Sequence, residues 1–327
     1  MVNWTVTPYL TFAEAQAAQQ AIANDVYAEI VPFMEAGRQK FAVVSSGVKQ
    51  WVQIADLANP LPVSLANNPL TNDLKLRVTN TQYGYEVVEG NIANHTPYSK
   101  LSYNPDVDAA EEDMWGYGGM YVFPTGAMGM EVISSNANDT AEGTGARTVK
   151  IWYLTTGFAE KTETIILNGT TAVPTAATDI YRINNLRVMT VGSGKTSAGN
   201  IDIRHISDIP VYSRIIAGLT RARNSIYTVP VNKTLYIAQI SYSAGSSSGG
   251  VHCRFTLKAA YDDLTGTLLD FFYPYHEQGV TDAPHNENLV LPLKFISGTD
   301  IKVSVQGDAT NANAVCTSAY RGWLEVA

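Results

Sequence analysis

The five letters GSGKT at 192–196 are a place in this 327-residue chain where residue types and spacing suggest chemistry. A phosphate-binding loop needs GxxxxGK[ST] running straight into a helix, whose free N-terminal amides and dipole hold the anion. Gly194, Lys195 and Thr196 supply the end of that pattern, but Met189 stands where its first glycine belongs. The next residues, SAGN and then IDIRHI, alternate as a strand does. GSGKTSAGN therefore reads as a Gly/Ser hairpin loop between RINNLRVMTV and NIDIRHI, and no nucleotide affinity is expected of it. Leu167-Asn168-Gly169-Thr170-Thr171 reads in the same way, with Asn-Gly supplying the positive φ of a tight turn.

The five histidines are His95, His205, His252, His276 and His285, and none stands at HxxxH or HExxH spacing. His276, Glu277, Asp282, His285 and Glu287 share the stretch FFYPYHEQGVTDAPHNEN, which reads as a polar loop at the end of a barrel. A metal there would require His276, His285 and the carboxylates to converge. Asp262-Asp263 and Glu111-Glu112-Asp113 offer acid pairs of the kind glycoside hydrolysis uses, and they read more simply as solvated loop surface. There is no GxSxG nucleophile motif. The expectation is a protein without enzymatic activity, cofactor or metal. Trp115, Tyr117 and Tyr121, in MWGYGGMYVFP, are rings suited either to stacking on sugars or to anchoring a subunit interface, and the interface is the preferred reading. Cys253 and Cys316 have no CxxC partner; two buried free thiols and one disulfide are both open.

The bulk composition narrows the partners. Asp and Glu outnumber Lys and Arg by 30 to 22, for a formal charge of −8. An acidic chain without a basic tail is poorly suited to wrapping nucleic acid, so no direct nucleic-acid contact is expected. No apolar run reaches the roughly 18 residues that a membrane helix needs. The opening MVNWTVTPYL lacks the basic and apolar regions of a secretory signal, which predicts synthesis in a cytoplasm.

These groups must be positioned by elements the pattern also predicts. Residues 11–36 carry a helical stripe of Ala15, Ala18, Ile22, Val26 and Ile30, opened by a Thr11/Glu14 capping box and closed by Pro32 and Gly37. Ile22, Val26 and Ile30 are its assembly-facing candidates. From Arg38 onward the period becomes two. FAVVSS, VKQWVQIA, LKLRVTN and YGYEVVE read as strands, then 89–127 as a long irregular insertion, the kind of connection that serves function or subunit contact. Strands return in MEVISS, ARTVKIWYL, KTETIIL, YRINNLRVMTV and NIDIRHI. They continue in SIYTVPV, KTLYIAQISYS, VHCRFTLKAAY, GTLLDFFYP, NLVLPLKF, DIKVSVQG and NAVCTSAYRGWLEVA. The class is all-β, with two tandem jelly-roll β-sandwiches or barrels behind an N-terminal amphipathic helix. The expected divisions are a helical arm at 1–37, a first jelly roll at 38–206 and a second at 207–327, joined near 206–211 where Pro210 breaks the pattern.

The segments ISSNANDTAEGTGARTVKI, ETIILNGTTAVPT, YRINNLRVMTVGSG and AGNIDIR resemble a segment that recurs in virion structural proteins of aquatic bacteriophages. SIYTVPVNKTLYIAQISYS, PLKFISGTDIKVSV and GWLEV resemble a phage β-sandwich, and the two together span about 130–327. The resemblance implies a double jelly-roll major capsid protein of a tailless, membrane-containing icosahedral phage. It further implies homotrimers that form pseudo-hexagonal capsomers, location in the virion, and contacts with penton or spike proteins and with the internal membrane. A spike, receptor-binding or decoration protein that recognises host-surface glycan is the alternative.

Overall fold

The computed structural model describes residues 29–35, 38–44, 52–54, 83–246, 250–308 and 314–326. The chain divides into two compact units, Met1–Val78 and Thr79–Ala327.

In the first unit, β1 (Glu29–Glu35), β2 (Arg38–Val44) and β3 (Val52–Ile54) form an antiparallel sheet in the order β1-β2-β3. Ile22 and Val26, most of the expected helix, and LKLRVTN lie outside the described residues. The expected last turns of that helix are corrected: 29–35 is strand, with Ile30 opposite Val43 and Pro32 opposite Phe41. Pro32 would cost a helix a hydrogen bond and a steric clash, whereas Ile30, Val31 and Phe33 suit a strand. β1 is an edge strand, where a proline's missing N–H is tolerated.

The second unit opens with α1 (Tyr83–Val88). YGYEVVE reads as a strand by alternation, but its end is a helix stop. Asn91 N–H donates to Glu86 O at 2.9 Å and Gly90 N–H to Val87 O at 3.2 Å, with Gly90 at φ +76°. That double closure with a left-handed glycine outweighs the weak strand preference of a six-residue segment. Tyr83 then packs its ring edge against Trp323 at 4.9 Å.

The strands run in this order: β4 (His95–Val107), β5 (Glu111–Asp113), β6 (Met130–Ser134), β7 (Ala146–Leu154), β8 (Glu160–Ile166), β9 (Val173–Pro174) and β10 (Arg182–Val191). Next come β11 (Ile201–His205), β12 (Val211–Ile215), β13 (Tyr227–Thr228), β14 (Lys233–Gly245), β15 (His252–Asp262) and β16 (Thr267–Thr281). The last three are β17 (His285–Phe295), β18 (Asp300–Gly307) and β19 (Ala314–Val326). The described residues are thus nearly all β, in small antiparallel sheets.

They build two sandwiches. The larger faces a sheet β17-β14-β19-β4 with a sheet β13-β18-β15-β16, in which β5 also lies against β18. Its core draws from both sheets: Leu235, Ile237 and Tyr320 from one, and Phe255, Leu257 and Val303 from the other. Tyr242 and Phe255 stack across the gap at 4.8 Å. The smaller faces β10-β7-β8 with β12-β11-β6-β9 around Val132, Ile151, Leu186 and Ile203. The join expected near 206–211 falls inside this smaller sandwich, between the paired strands β11 and β12.

The smaller sandwich is carried inside the larger one. The chain leaves at Met114 and returns at Ser225, where Ser225 N–H donates to Met114 O at 2.9 Å. Both ends run along β18, since β5 pairs with Ser304–Gln306 and β13 with Asp300 and Ile301.

Two further expectations are corrected. The insertion expected to be irregular over 89–127 contains the long strand β4, whose Pro97 and Pro105 argue against a strand by composition. Among the described residues β4 pairs only with β19, at a sheet edge where such residues are accepted. FFYPYHEQGVTDAPHNEN is not a loop but most of β16 and the start of β17, both of them edge strands.

Candidate functional site: a filled anion nest, a polar joint and a bulged edge

GSGKTSAGN does cradle an anion, and the anion belongs to the chain. β10 and β11 lie in different sheets, so the loop is an inter-sheet crossing and not the hairpin expected. It packs on the β6–β7 loop, where Gly194 N–H donates to Thr144 O at 2.8 Å and Gly192 N–H to Gly145 O at 2.7 Å. Between them sits Asp139, fully buried. Its Oδ1 accepts from Ala146 N at 2.7 Å and Ala198 N at 2.8 Å. Its Oδ2 accepts from Gly199 N at 2.8 Å and Ser134 Oγ at 2.6 Å. Hydrogen bonds to a carboxylate are among the strong ones, so Asp139 fastens the two loops together. Gly145 is required by space, because a Cβ there would lie 2.2 Å from Asp139 Oδ1. Lys195 is exposed, at φ +60°. The sequence signal was Asp139 inside the Gly-rich run NDTAEGTG.

The two sandwiches meet at a polar joint. Arg182 on β10 grips Asp300 on β18, and its Nη1 also donates to Pro124 O at 2.7 Å. The guanidinium stacks over Tyr181 at 3.9 Å and Phe123 at 5.1 Å. Asn184 on β10 exchanges two 2.9 Å hydrogen bonds with the backbone of Thr228, and accepts on its carbonyl from Lys100 Nζ at 2.5 Å. Burial, with Arg221 and Arg187 nearby, lowers the Lys100 ammonium to a pKa of about 7. Burying a cation without a counter-charge disfavours its charged form.

The aromatic candidates occupy the same region. Trp115 and Tyr121 are buried in a small cluster with Val211 and Ile226, ring to ring at 5.1 Å. Tyr117 is the exposed one, with Arg214 4.4 Å over its ring. The acidic run beside them is split by strand alternation. Asp113 points into the core and accepts from Lys302 Nζ and Ser304 Oγ, each at 2.9 Å. Glu112 accepts from Gly119 N at 2.9 Å, while Glu111 pairs with Lys258. Burial raises the Glu111 carboxyl, but Lys258 more than offsets this and leaves it below its usual range. Asp262 caps its own turn, accepting from Leu264 N at 3.0 Å and Thr265 Oγ1 at 2.7 Å.

The edge strands β16 and β17 carry the third feature. Opposite β14, the register of β17 jumps from Ile237↔Leu293 to Gln239↔Asn288, so 289–292 stands against Ala238 alone. Opposite β15, β16 jumps from Ala259↔Tyr273 to Tyr261↔Leu268, so 269–272 stands against Ala260 alone. These bulges push apolar side chains outward: Val290 is 97% exposed and Leu291 82%, with Phe271, Tyr273 and Leu268 also exposed. Bulges spoil an edge for backbone pairing with another strand. Such an edge offers side-chain contacts instead.

His276 ties the two edges. Its Nε2 lies 2.8 Å from Glu287 Oε2 and its Nδ1 3.3 Å from Tyr242 Oη; His285 Nε2 is 3.5 Å from the same Glu287 oxygen. Hydrogen bonds from His276 and His285 hold the Glu287 carboxyl below its usual range. Glu277 and Asp282 face elsewhere, to Thr256 Oγ1 and Val251 N. No group of three or more His, Cys, Asp and Glu with metal-holding geometry occurs among the described residues.

No protein-family model matches this chain, and no curated protein matches it. A solved structure of the infectious bursal disease virus Gt strain is similar over 70% of this chain and 70% of that chain, at 11% identity and a TM-score of 0.15. A likeness at that level does not establish a common fold.

Proposed function

We propose that this chain is a structural protein of a virus particle, the major capsid protein of its shell, with the larger sandwich as the shell-forming brick. The observation that carries this reading is the nesting of its strand pairs. β4 pairs with β19, β5 with β18, β14 with β17, and β15 with β16. Taken in chain order, that is one long hairpin rolled up on itself, the jelly-roll arrangement common in viral shells. The smaller sandwich repeats part of the scheme, with β6 paired to β11 and β7 to β10. It is carried as an outgrowth of the brick between Met114 and Ser225. The resemblance to bacteriophage virion proteins points the same way.

The brick hides backbone edges and presents apolar side chains on β16 and β17, which suits lateral packing of copies as trimers. Trp115 and Tyr121 are consumed inside the chain, which leaves Tyr117 as the ring of that group free to meet a neighbour. Ile22, Val26 and Ile30 are assigned to the same self-assembly. The role is structural rather than enzymatic, the site of action is the virion, and the shell does not touch nucleic acid.

Negative-stain microscopy with mass determination on the purified chain tests this. Trimers that tile into sheets or shells are expected. A monomer or isolated trimer that binds glycan would overturn the shell role in favour of a spike or decoration protein.

A further inference from the structure

The chain's two cysteines, Cys253 and Cys316, lie on β15 and β19, strands of opposite sheets of the larger sandwich. Both are buried thiols, and Cys316 Sγ–H donates to Cys253 Sγ at 3.7 Å. Their surroundings differ. Cys253 lines a cavity of about 300 Å³ together with His252, Arg254, Val280, Thr281 and Gln306. Cys316 is fully buried and does not line it.

We propose that Cys253 and Cys316 form a latent disulfide site across the sandwich, reduced in the cytoplasm where the chain is made and closed by a small hydroperoxide arriving through the cavity. The roles follow from the geometry. The hydrogen bond from Cys316 lowers the pKa of the Cys253 thiol against the opposing effect of burial, and so favours its thiolate. The same contact, together with burial, raises the Cys316 thiol. Cys253, which borders the cavity, is the nucleophile, and its buried neighbour Cys316 is the resolver.

The Cys253 thiolate attacks one peroxide oxygen. The O–O bond breaks, the departing hydroxide takes up the proton released from Cys253, and water leaves with a sulfenic acid on Cys253. Cys316 sulfur then attacks the Cys253 sulfur. The S–O bond breaks, and hydroxide departs with the Cys316 proton as a second water. Two thiols lose two electrons and two protons, and one hydrogen peroxide is reduced to two waters; an alkyl hydroperoxide would leave as its alcohol and one water. Most cytoplasms keep such pairs reduced, and an oxidising exterior lets them close. This inference does not depend on the virion reading.

The test is hydrogen peroxide treatment of the full chain under native conditions, followed by alkylation in denaturant and peptide mapping without reduction. The expected product is an intrachain Cys253–Cys316 peptide lighter by two hydrogens, with melting raised by several degrees over the reduced chain. Cys316→Ser should trap a dimedone-reactive sulfenic acid on Cys253, and Cys253→Ser should leave Cys316 unoxidised. Recovery of both thiols fully alkylated, or a crosslink only between chains, overturns the proposal. The wild-type map decides the matter even where a variant folds poorly.

Discussion

Arg182 on β10 and Asp300 on β18 meet as a two-pronged pair, Nε to Oδ1 at 3.0 Å and Nη2 to Oδ2 at 2.8 Å, with 9% and 14% of their side chains exposed. Thr228 donates its hydroxyl to the same Asp300 carboxylate. The pair spans the boundary between the two sandwiches. Removing one partner leaves the other charge desolvated without its counter-charge. Arg182→Ala should therefore cost about 3–5 kcal/mol of stability, measured by urea unfolding. A double-mutant cycle with Asp300→Asn should return a coupling of more than about 1 kcal/mol. Additive single effects would mean that the pair is not what holds the joint.

Asp139→Asn replaces an acceptor-only group with one that presents an N–H₂ to a ring of donors. At least one of Ala146, Ala198, Gly199 and Ser134 then faces another donor. A loss of about 3 kcal/mol is expected, read as a lower denaturation midpoint. Exposed Lys195, by contrast, should tolerate alanine within about 0.5 kcal/mol, and the wild-type chain should bind no ATP in calorimetry.

Lys100 predicts a pH dependence. Its pKa falls from the usual lysine value near 10.5 to about 7 in the folded chain. Between those values the unfolded chain holds a proton that the folded chain has released, so stability rises with pH across that window. Below about pH 7 both states are protonated and the full burial penalty is felt. The slope should approach about 1.4 kcal/mol per pH unit at most. Lys100→Met should flatten the urea midpoint between pH 7 and 9. A wild-type midpoint that is level or falling over this range would contradict the assignment.

Val290→Asp with Leu291→Asp should leave circular dichroism and melting unchanged, because both side chains already face solvent. Self-association, followed by analytical ultracentrifugation, should weaken at least tenfold. Unchanged association would remove the β17 bulge from any lateral contact.

Much of the fold is legible in local patterning. ARTVKIWYL and DIKVSVQG form β7 and β18 with no shift at either end, because apolar residues alternate along each: Val149, Ile151 and Tyr153 in one, Ile301, Val303 and Val305 in the other. Local reading fails where a partner far along the chain decides the outcome. β4 carries two prolines and reads as irregular, yet 216 residues separate Ser102 from Ser318, its hydrogen-bonded partner on β19. The end of β16 and the start of β17 read as a loop because YHEQGVTDAPHNEN is polar and carries Gly279 and Pro284, while the outward bulges lie in GTLLDFFYP and NLVLPLKF, which read as strands. The alternating strand after GSGKT is enough to exclude a nucleotide loop, and Asp139 stands out in the Gly-rich run NDTAEGTG, but its donors Ala198 and Gly199 lie too far along the chain to be read locally. Of the pairings that carry the proposed function, β15 with β16 closes across a short turn, Asp262 opposite Thr267, while the others join strands far apart in the chain and have no local signal.

The hydrogen bond from Ser225 to Met114 closes the base of a detour through 115–224. In evolutionary terms, that detour is a cassette. A lineage could exchange, shrink or decorate the smaller sandwich and still present β18 with the same two short flanking strands. The larger sandwich would keep its strand order and its own core. The two sandwiches can then change at different rates within one gene.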